Sequence, residues 1–487
     1  GVAPADPVQR PFSADILYSL SVDETTDLVR LIHECENKCN RLGIAKPQTV
    51  DKEADMRSTA KWVAATLLLL TPAAALPQLA LPGVGPALPV PDRSLRDLAE
   101  PLIDPVNGVV DSGIFDRLSK SELGTLLKRL RTGRVNQFLR QNRDYVERDR
   151  NGDPAVRGVL IATGISAASL ELARNEGFQI LERAEIEGLD LSYVKFATRP
   201  GKQLKSEEKR LQKLAREAEI SADNIYFTSG PVTMAVSSAT LASGKAAAGA
   251  MGLIDGGVAR HSAIAMPVEQ RGFARGGAVA SSHGTAIASL ISGSLGSRSR
   301  GLLAADIYGS DPAGGNATAI ARALGWMAQR DVPVVTISLV GPNNGLLGRA
   351  VKAAQQKGML VVAAVGNDGP AAPARYPAAY KGVIGVTGVD HRERALPEAG
   401  SATPIDFAAP GTGIKGASPD GNLVPLRGTS FAAPLVAARL LSHYPAANIG
   451  KIDAAVRGLI REAKDLGKKG ADKVYGHGLV CGNCGLR

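Results

Sequence analysis

From residue 250 to the end of the chain, short apolar runs alternate with segments of helical period. The runs span residues 251–254, 302–307, 332–337, 359–365 and 383–386. Continuous apolar runs of this length, separated by helices, predict the strands of a parallel sheet covered on both faces. A different rhythm fills residues 156–227: an apolar run at 159–161, a helix opening at Ser166 and closed by Gly177, and runs at 178–181 and 191–196. A second helix follows, opening at Ser206-Glu207-Glu208, and a short strand at 224–227 ends the segment. The order β-α-β-β-α-β predicts the ferredoxin-like split motif. The expected fold class is therefore α/β, a parallel sheet flanked by helices, preceded by a small α+β ferredoxin-like domain.

The pattern elsewhere divides the rest of the chain. Residues 228–249 are rich in Gly, Ala and Ser and read as a flexible, protease-accessible linker. Within 77–155, Pro77, Pro82, Pro86, Pro89 and Pro91 predict an extended linker. Residues 113–149 follow as helix, with Lys128, Arg129, Arg131, Arg134, Arg140 and Arg143 dense enough to suggest a solvated helix pair. Residues 56–76 have the layout of a secretory signal: Arg57 and Lys61, an apolar run beginning at Trp62, then Pro72 and small residues. That run is about 15 residues, short of the roughly 20 that span a bilayer, so no stable membrane span is expected. Residues 1–55 form an uncertain extension with one amphipathic stretch at 25–42; His33, Cys35 and Cys39 lie on it without a fourth metal ligand nearby.

Composition adds little to this picture. A chain of 487 residues, 44% hydrophobic and with a mean hydropathy of −0.01, can bury a large core. The net charge of +10 is concentrated late, with 26 basic against 15 acidic residues in 228–487. No runs of aromatics accompany these cations, so a nucleic-acid partner is not expected.

Candidate chemistry lies at strand ends and helix starts. Ser430, in Gly428-Thr429-Ser430-Phe431-Ala432-Ala433-Pro434, sits between a glycine turn and a small-residue helix. The unpaired N–H groups there favour negative charge on a substrate oxygen. Pro434 is expected in that helix's first turn, where no donor is lost. Asp255 and Asn367 follow apolar runs, at the carboxyl ends where open α/β sheets build sites. His283 is flanked by a tight turn and a helix start. Each has a plain structural explanation when taken singly; their conjunction points to nucleophilic catalysis.

With these motifs in view, the sequence resembles the subtilisin-like serine proteases, the subtilase family, through most of 250–480. The matching motifs are Ile254-Asp255-Gly256-Gly257, His283-Gly284-Thr285, Ser338-Leu339-Val340-Gly341-Pro342, Val365-Gly366-Asn367-Asp368-Gly369 and Gly428-Thr429-Ser430. The order Asp, His, Ser is that of subtilisin. The resemblance implies a catalytic domain over 250–487, with Asp255 orienting the imidazole, His283 as general base then acid, Ser430 as nucleophile and Asn367 as oxyanion donor. It further implies that Ser338, Leu339, Val340 and Gly341 run antiparallel to the substrate, with Ala363, Ala364, Val365 and Gly366 lining the pocket for the residue before the cut. Gly256 stands where the family usually has Ser or Thr.

No cofactor is implied. Structural calcium is common among relatives, but no stretch here reads clearly as such a site. Residues 156–227 resemble the family's propeptide, an intramolecular inhibitor, and Cys481 and Cys484 are placed to form a small disulfide loop in an oxidising compartment. The expectation is a secreted or periplasmic serine endopeptidase, an autoprocessed zymogen acting on protein or peptide substrates. The alternatives are a catalytically silent subtilase-like binding protein or an envelope-associated regulator.

Overall fold

The computed structural model describes residues 119–228, 239–296, 299–482 and 484, without the side chains of Lys120 and Ser121. All lie within the unit Val90–Arg487. The expectations for 1–55, for the signal-like segment 56–76 and for the proline-rich stretch fall outside the described residues.

Helix α1 (Lys120–Gln141) comes first, opened by a capping box in which Glu122 N–H donates to Ser119 Oγ and Ser119 N–H to Glu122 Oε2. It is one continuous helix, and Leu123, Leu126 and Leu127 are buried, so the solvated helix pair is corrected. A single helix this basic stays folded because its leucine stripe packs on the larger domain.

The small domain follows with β1 (Val146–Arg148), β2 (Pro154–Thr163), α2 (Ala167–Asn175), β3 (Gln179–Ile186), β4 (Leu191–Ala197), α3 (Leu204–Leu214) and β5 (Glu219–Asn224). β2 pairs antiparallel with β1, β4 and β5, and β3 pairs with β4, which gives the β-α-β-β-α-β motif one added strand. Ser166 caps α2 by accepting from Ser169 N–H, and Gly177, at φ +91°, ends it. The last strand is 219–224, earlier than expected. Its Asp223 is fully buried, because it accepts from the N–H and Oγ1 of Thr318 in the larger domain. Such a residue masks the apolar pattern of a strand.

Inside this domain, burial pushes the carboxyl of Glu208 up to about 7, helped by Asp149 and opposed by Arg150, 3.2 Å away. The folded state therefore holds a proton that the unfolded chain releases near its ordinary pKa. Its contribution is present at acidic pH and is lost as pH rises through 7, on the order of 3 kcal/mol. In an uncleaved Ser430→Ala background, melting of the small domain should fall between pH 5 and pH 8, and Glu208→Gln should flatten that dependence. An unchanged slope in Glu208→Gln would remove Glu208 as its cause.

A two-residue strand, β6 (Phe227–Thr228), leads out of the small domain. The larger domain then comprises β7 (Met251–Asp255), β8 (Val268–Gly272), α4 (Ser282–Leu295), β9 (Leu302–Asp306), α5 (Ala317–Ala328), β10 (Val334–Ile337), β11 (Leu339–Val340), α6 (Gly345–Gln356), β12 (Leu360–Ala364), β13 (Ile384–Val389) and β14 (Phe407–Pro410). The hairpin β15 (Ile414–Ala417) and β16 (Leu423–Leu426), then α7 (Thr429–His443) and α8 (Ile452–Glu462), complete it. Seven strands form one parallel sheet in the order β14-β13-β12-β10-β7-β9-β8. α4 and α7 cover one face, and α5 and α6 the other.

Residues 239–250 are anchored, which corrects the flexible linker over 228–249 in its second half. Ala242 N–H donates to Val258 O, Arg260 N–H to Thr240 O and Ala247 N–H to Arg300 O. The small side chains suit close packing along β8 as well as they suit mobility. Cys481 and Cys484 form a disulfide.

Candidate active site

Asp255 ends β7, next to the middle of the sheet, and is fully buried. Its Oδ1 accepts from Gly256 N–H at 2.8 Å. His283 is the second residue of α4, whose N-cap Ser281 accepts from Gly284 N–H at 3.0 Å. That first turn lies directly on the 256–257 backbone. A Cβ on Gly284 would come within 2.2 Å of Gly256 O, and one on Gly256 within 2.3 Å of Ser281 Oγ, so the missing side chain at 256 has its space taken by Ser281. The approach brings His283 Nδ1 to 2.9 and 2.8 Å from the two Asp255 oxygens. Its Nε2 is buried and makes no hydrogen bond.

The next strand over supports this pair. Asp306, opposite Asp255 in register, accepts from the N–H groups of Val279, Tyr308 and Gly309. Burial, together with the Asp255 charge, still raises its carboxyl above the ordinary value. Asp306 thus pins the loop that leads into α4.

Ser430 lies in the first turn of α7, and the adjacent Phe431 ring sits 5.3 Å from the His283 ring. The helix begins at Thr429, so Pro434 is its sixth residue and not in the first turn, contrary to expectation. Its absent N–H leaves Ser430 C=O without the usual i+4 donor, and Ser338 Oγ donates to that carbonyl instead, at 2.8 Å. Asn367, after β12, is tied to the same helix end: its Oδ1 accepts from Thr429 N–H at 3.0 Å, and Gly366 N–H donates to Thr429 Oγ1 at 3.2 Å. The Oδ1 hydrogen bond holds Asn367 beside the head of α7, whose first turn carries Ser430 and whose positive end favours negative charge.

Ser338 to Gly341 form an edge beside this site. β6 lies antiparallel to β11, with Thr228 opposite Leu339 and Phe227 opposite Val340. Just before it, Tyr226 is fully buried: its ring packs on Gly341 and its hydroxyl donates to Pro342 O at 2.7 Å. Ala363 and Ala364 send their side chains into the two opposite cores, so what lies at the site is the turn after β12, Val365 and Gly366.

Several residues here escaped the sequence reading. Glu398 pairs with Arg427, just before the Gly428 turn, and its carbonyl accepts from Gly369 N–H, linking the turns that carry Ser430 and Asn367. Asp368 pairs with Arg375 at 2.9 Å and with Arg131 and Arg134 of α1 at 3.3 and 3.6 Å. Scattered arginines carry no sequence signal of this convergence. Among the described residues no group of three His, Cys, Asp or Glu side chains could hold a metal ion, and no helix is long and apolar enough to cross a membrane.

A parallel sheet with aspartate and histidine joined at its carboxyl edge, and a serine at a facing helix start, defines a subtilisin-like α/β domain. Residues 274–478 match the sequence model described as the subtilase family. Subtilisin BL of Lederbergia lenta is 31% identical over 208 residues, covering 41% of this chain and 75% of the relative. Thermitase of Thermoactinomyces vulgaris is 35% identical over 167 residues, covering 34% and 55%. The chain spans 26% of the minor extracellular protease Epr of Bacillus subtilis and 61% of subtilisin DY of Bacillus licheniformis. Fervidolysin from Fervidobacterium pennivorans shares the fold, with a TM-score of 0.50 at 16% identity, over 67% of this chain and 60% of that one. The chain belongs to the subtilase family.

Proposed function

We propose that this protein is a serine endopeptidase made as an inhibited precursor that cleaves itself. The observation that carries the reading is His283, whose Nδ1 is held by both Asp255 oxygens while Nε2 makes no hydrogen bond, its ring 5.3 Å from that of Phe431 in the first turn of α7. In the reaction, Ser430 Oγ attacks the scissile carbonyl and its proton passes to Nε2. Asp255 stabilises the resulting imidazolium. The Asn367 amide and the α7 N-terminus receive the charge on the carbonyl oxygen. His283 then protonates the leaving amine, and water releases the acyl group by the same steps reversed.

The support for inhibition is the pairing of β6 with β11. The chain leaving the small domain takes the place of a substrate strand and holds Tyr226 against Gly341. The small domain is fastened besides by Asp223 on Thr318 and by Asn344 Nδ2, which donates to Ala222 O and Asn224 Oδ1 at the head of α6. α1 adds Leu127 against Gly369 and its arginines on Asp368. Since 239–250 are anchored, the self-cleaved bond lies after Thr228 and before Ala239. Export follows from the signal-like segment at 56–76 and agrees with the disulfide.

The test is expression of the full chain with and without Ser430→Ala, with intact mass and labelling by a serine-directed phosphonate. Wild type should yield a labelled mature form beginning within 229–239. Ser430→Ala should remain full length and unlabelled. Cleavage of pure Ser430→Ala at the same bond would assign processing to another protease.

A further inference from the structure

We infer that Arg375 makes the pocket for the residue before the cut selective for side chains carrying an acceptor oxygen, glutamate and glutamine above leucine and phenylalanine. This rests on the endopeptidase reading and refines its substrate class. Arg375 stands between two walls, the edge 338–341 assigned to the substrate backbone and the segment 363–366 assigned to the pocket. Its neighbour Tyr376 exchanges both backbone hydrogen bonds with Gly341, at the end of one wall. Its own stem lies against Gly366, on the other: a Cβ there would find Arg375 Cγ at 3.6 Å and Val340 Cγ1 at 3.3 Å.

Arg375 is buried, at 5% relative exposure, and its Nε has no hydrogen-bond partner. Nη2 lies 2.9 Å from Asp368 Oδ2 as an ion pair. A buried guanidinium with an unanswered donor is costly to leave as it is. A substrate oxygen at the pocket floor answers that donor, as the fork of a guanidinium favours. An aliphatic or aromatic side chain of similar size leaves it unpaired and is rejected for that reason. In the precursor Asp368 is also held by Arg131 and Arg134, so loss of α1 on maturation leaves Arg375 as its remaining partner among these three.

The experiment uses mature enzyme from the full chain and the series succinyl-Ala-Ala-Pro-Xaa-p-nitroanilide, with Xaa Glu, Gln, Leu or Phe. Glu and Gln should exceed Leu and Phe in kcat/KM by about 10- to 100-fold. Arg375→Met, which keeps the stem and removes the donors, should reverse the order. Asp368→Asn, at a less buried position, frees Arg375 for a carboxylate and should raise Glu relative to Gln, giving a second reading if Arg375→Met folds poorly. Leu or Phe preferred by wild type, with Asp368→Asn leaving the Glu to Gln ratio unchanged, overturns the pocket assignment and leaves the peptidase standing. Hydrolysis of none, together with no phosphonate labelling, overturns both.

Discussion

Ser430→Ala and His283→Ala should each lower turnover by about a millionfold, and the double variant should be no worse than either. The reason is the way the parts are joined. In the proposed mechanism His283 Nε2 takes the proton of Ser430, and without that base the hydroxyl is a poor nucleophile at neutral pH. Asp255→Ala should cost less, about ten-thousandfold, since the imidazole keeps its place at the head of α4 but loses the charge that fixes its tautomer. Because Ser430→Ala cannot process itself, each variant is matured by trace wild-type enzyme, which is then removed, and peptide hydrolysis is followed under single-turnover conditions. Hydrolysis by matured Ser430→Ala at a rate near wild type would end the triad reading.

How far the sequence carried depended on what kind of signal each element has. The five inner strands of the parallel sheet read plainly because both faces are covered, so every residue from Met251 to Asp255 or Leu360 to Ala364 is buried. The two edge strands were missed. β8 reads Val-Glu-Gln-Arg-Gly with mostly half-buried positions and shows no continuous apolar run, while β14 is four residues with two alanines and a closing Pro410, a weak strand signal. Asp255, His283, Asn367 and Ser430 stand out through their local motifs, whereas the pairings of Asp368 with Arg131 and Arg134, and of Glu398 with Arg427, join residues far apart in sequence. Likewise, nothing local in α1 reveals that its leucines meet the turn after Asn367; a basic amphipathic helix looks the same whether its stripe is covered or bare. Pro434 was misplaced by one turn because the helix starts at Thr429, and the carbonyl it frees is met by Ser338, a pairing between residues 92 apart in sequence.

Asn367→Ala should lower kcat by about 100- to 1,000-fold with little change in KM, because the amide matters only once the carbonyl oxygen becomes negative. The side chain has a second duty that must be separated from this one. Its Oδ1 accepts Thr429 N–H at the start of α7, and losing that acceptor leaves a helix-end donor unanswered, costing about 1 kcal/mol of stability. Asn367→Asp distinguishes the two. The carboxylate still accepts from Thr429 N–H, so thermal stability should stay near wild type, but it offers no donor and repels the developing oxyanion. Its kcat should therefore fall at least as far as that of Asn367→Ala. Were Asn367→Asp to recover activity, the residue would serve as a helix cap for Ser430 and the oxyanion would depend on the α7 N–H groups alone. A rise in KM with kcat unchanged would instead make Asn367 a ground-state contact, with no part in stabilising the tetrahedral intermediate.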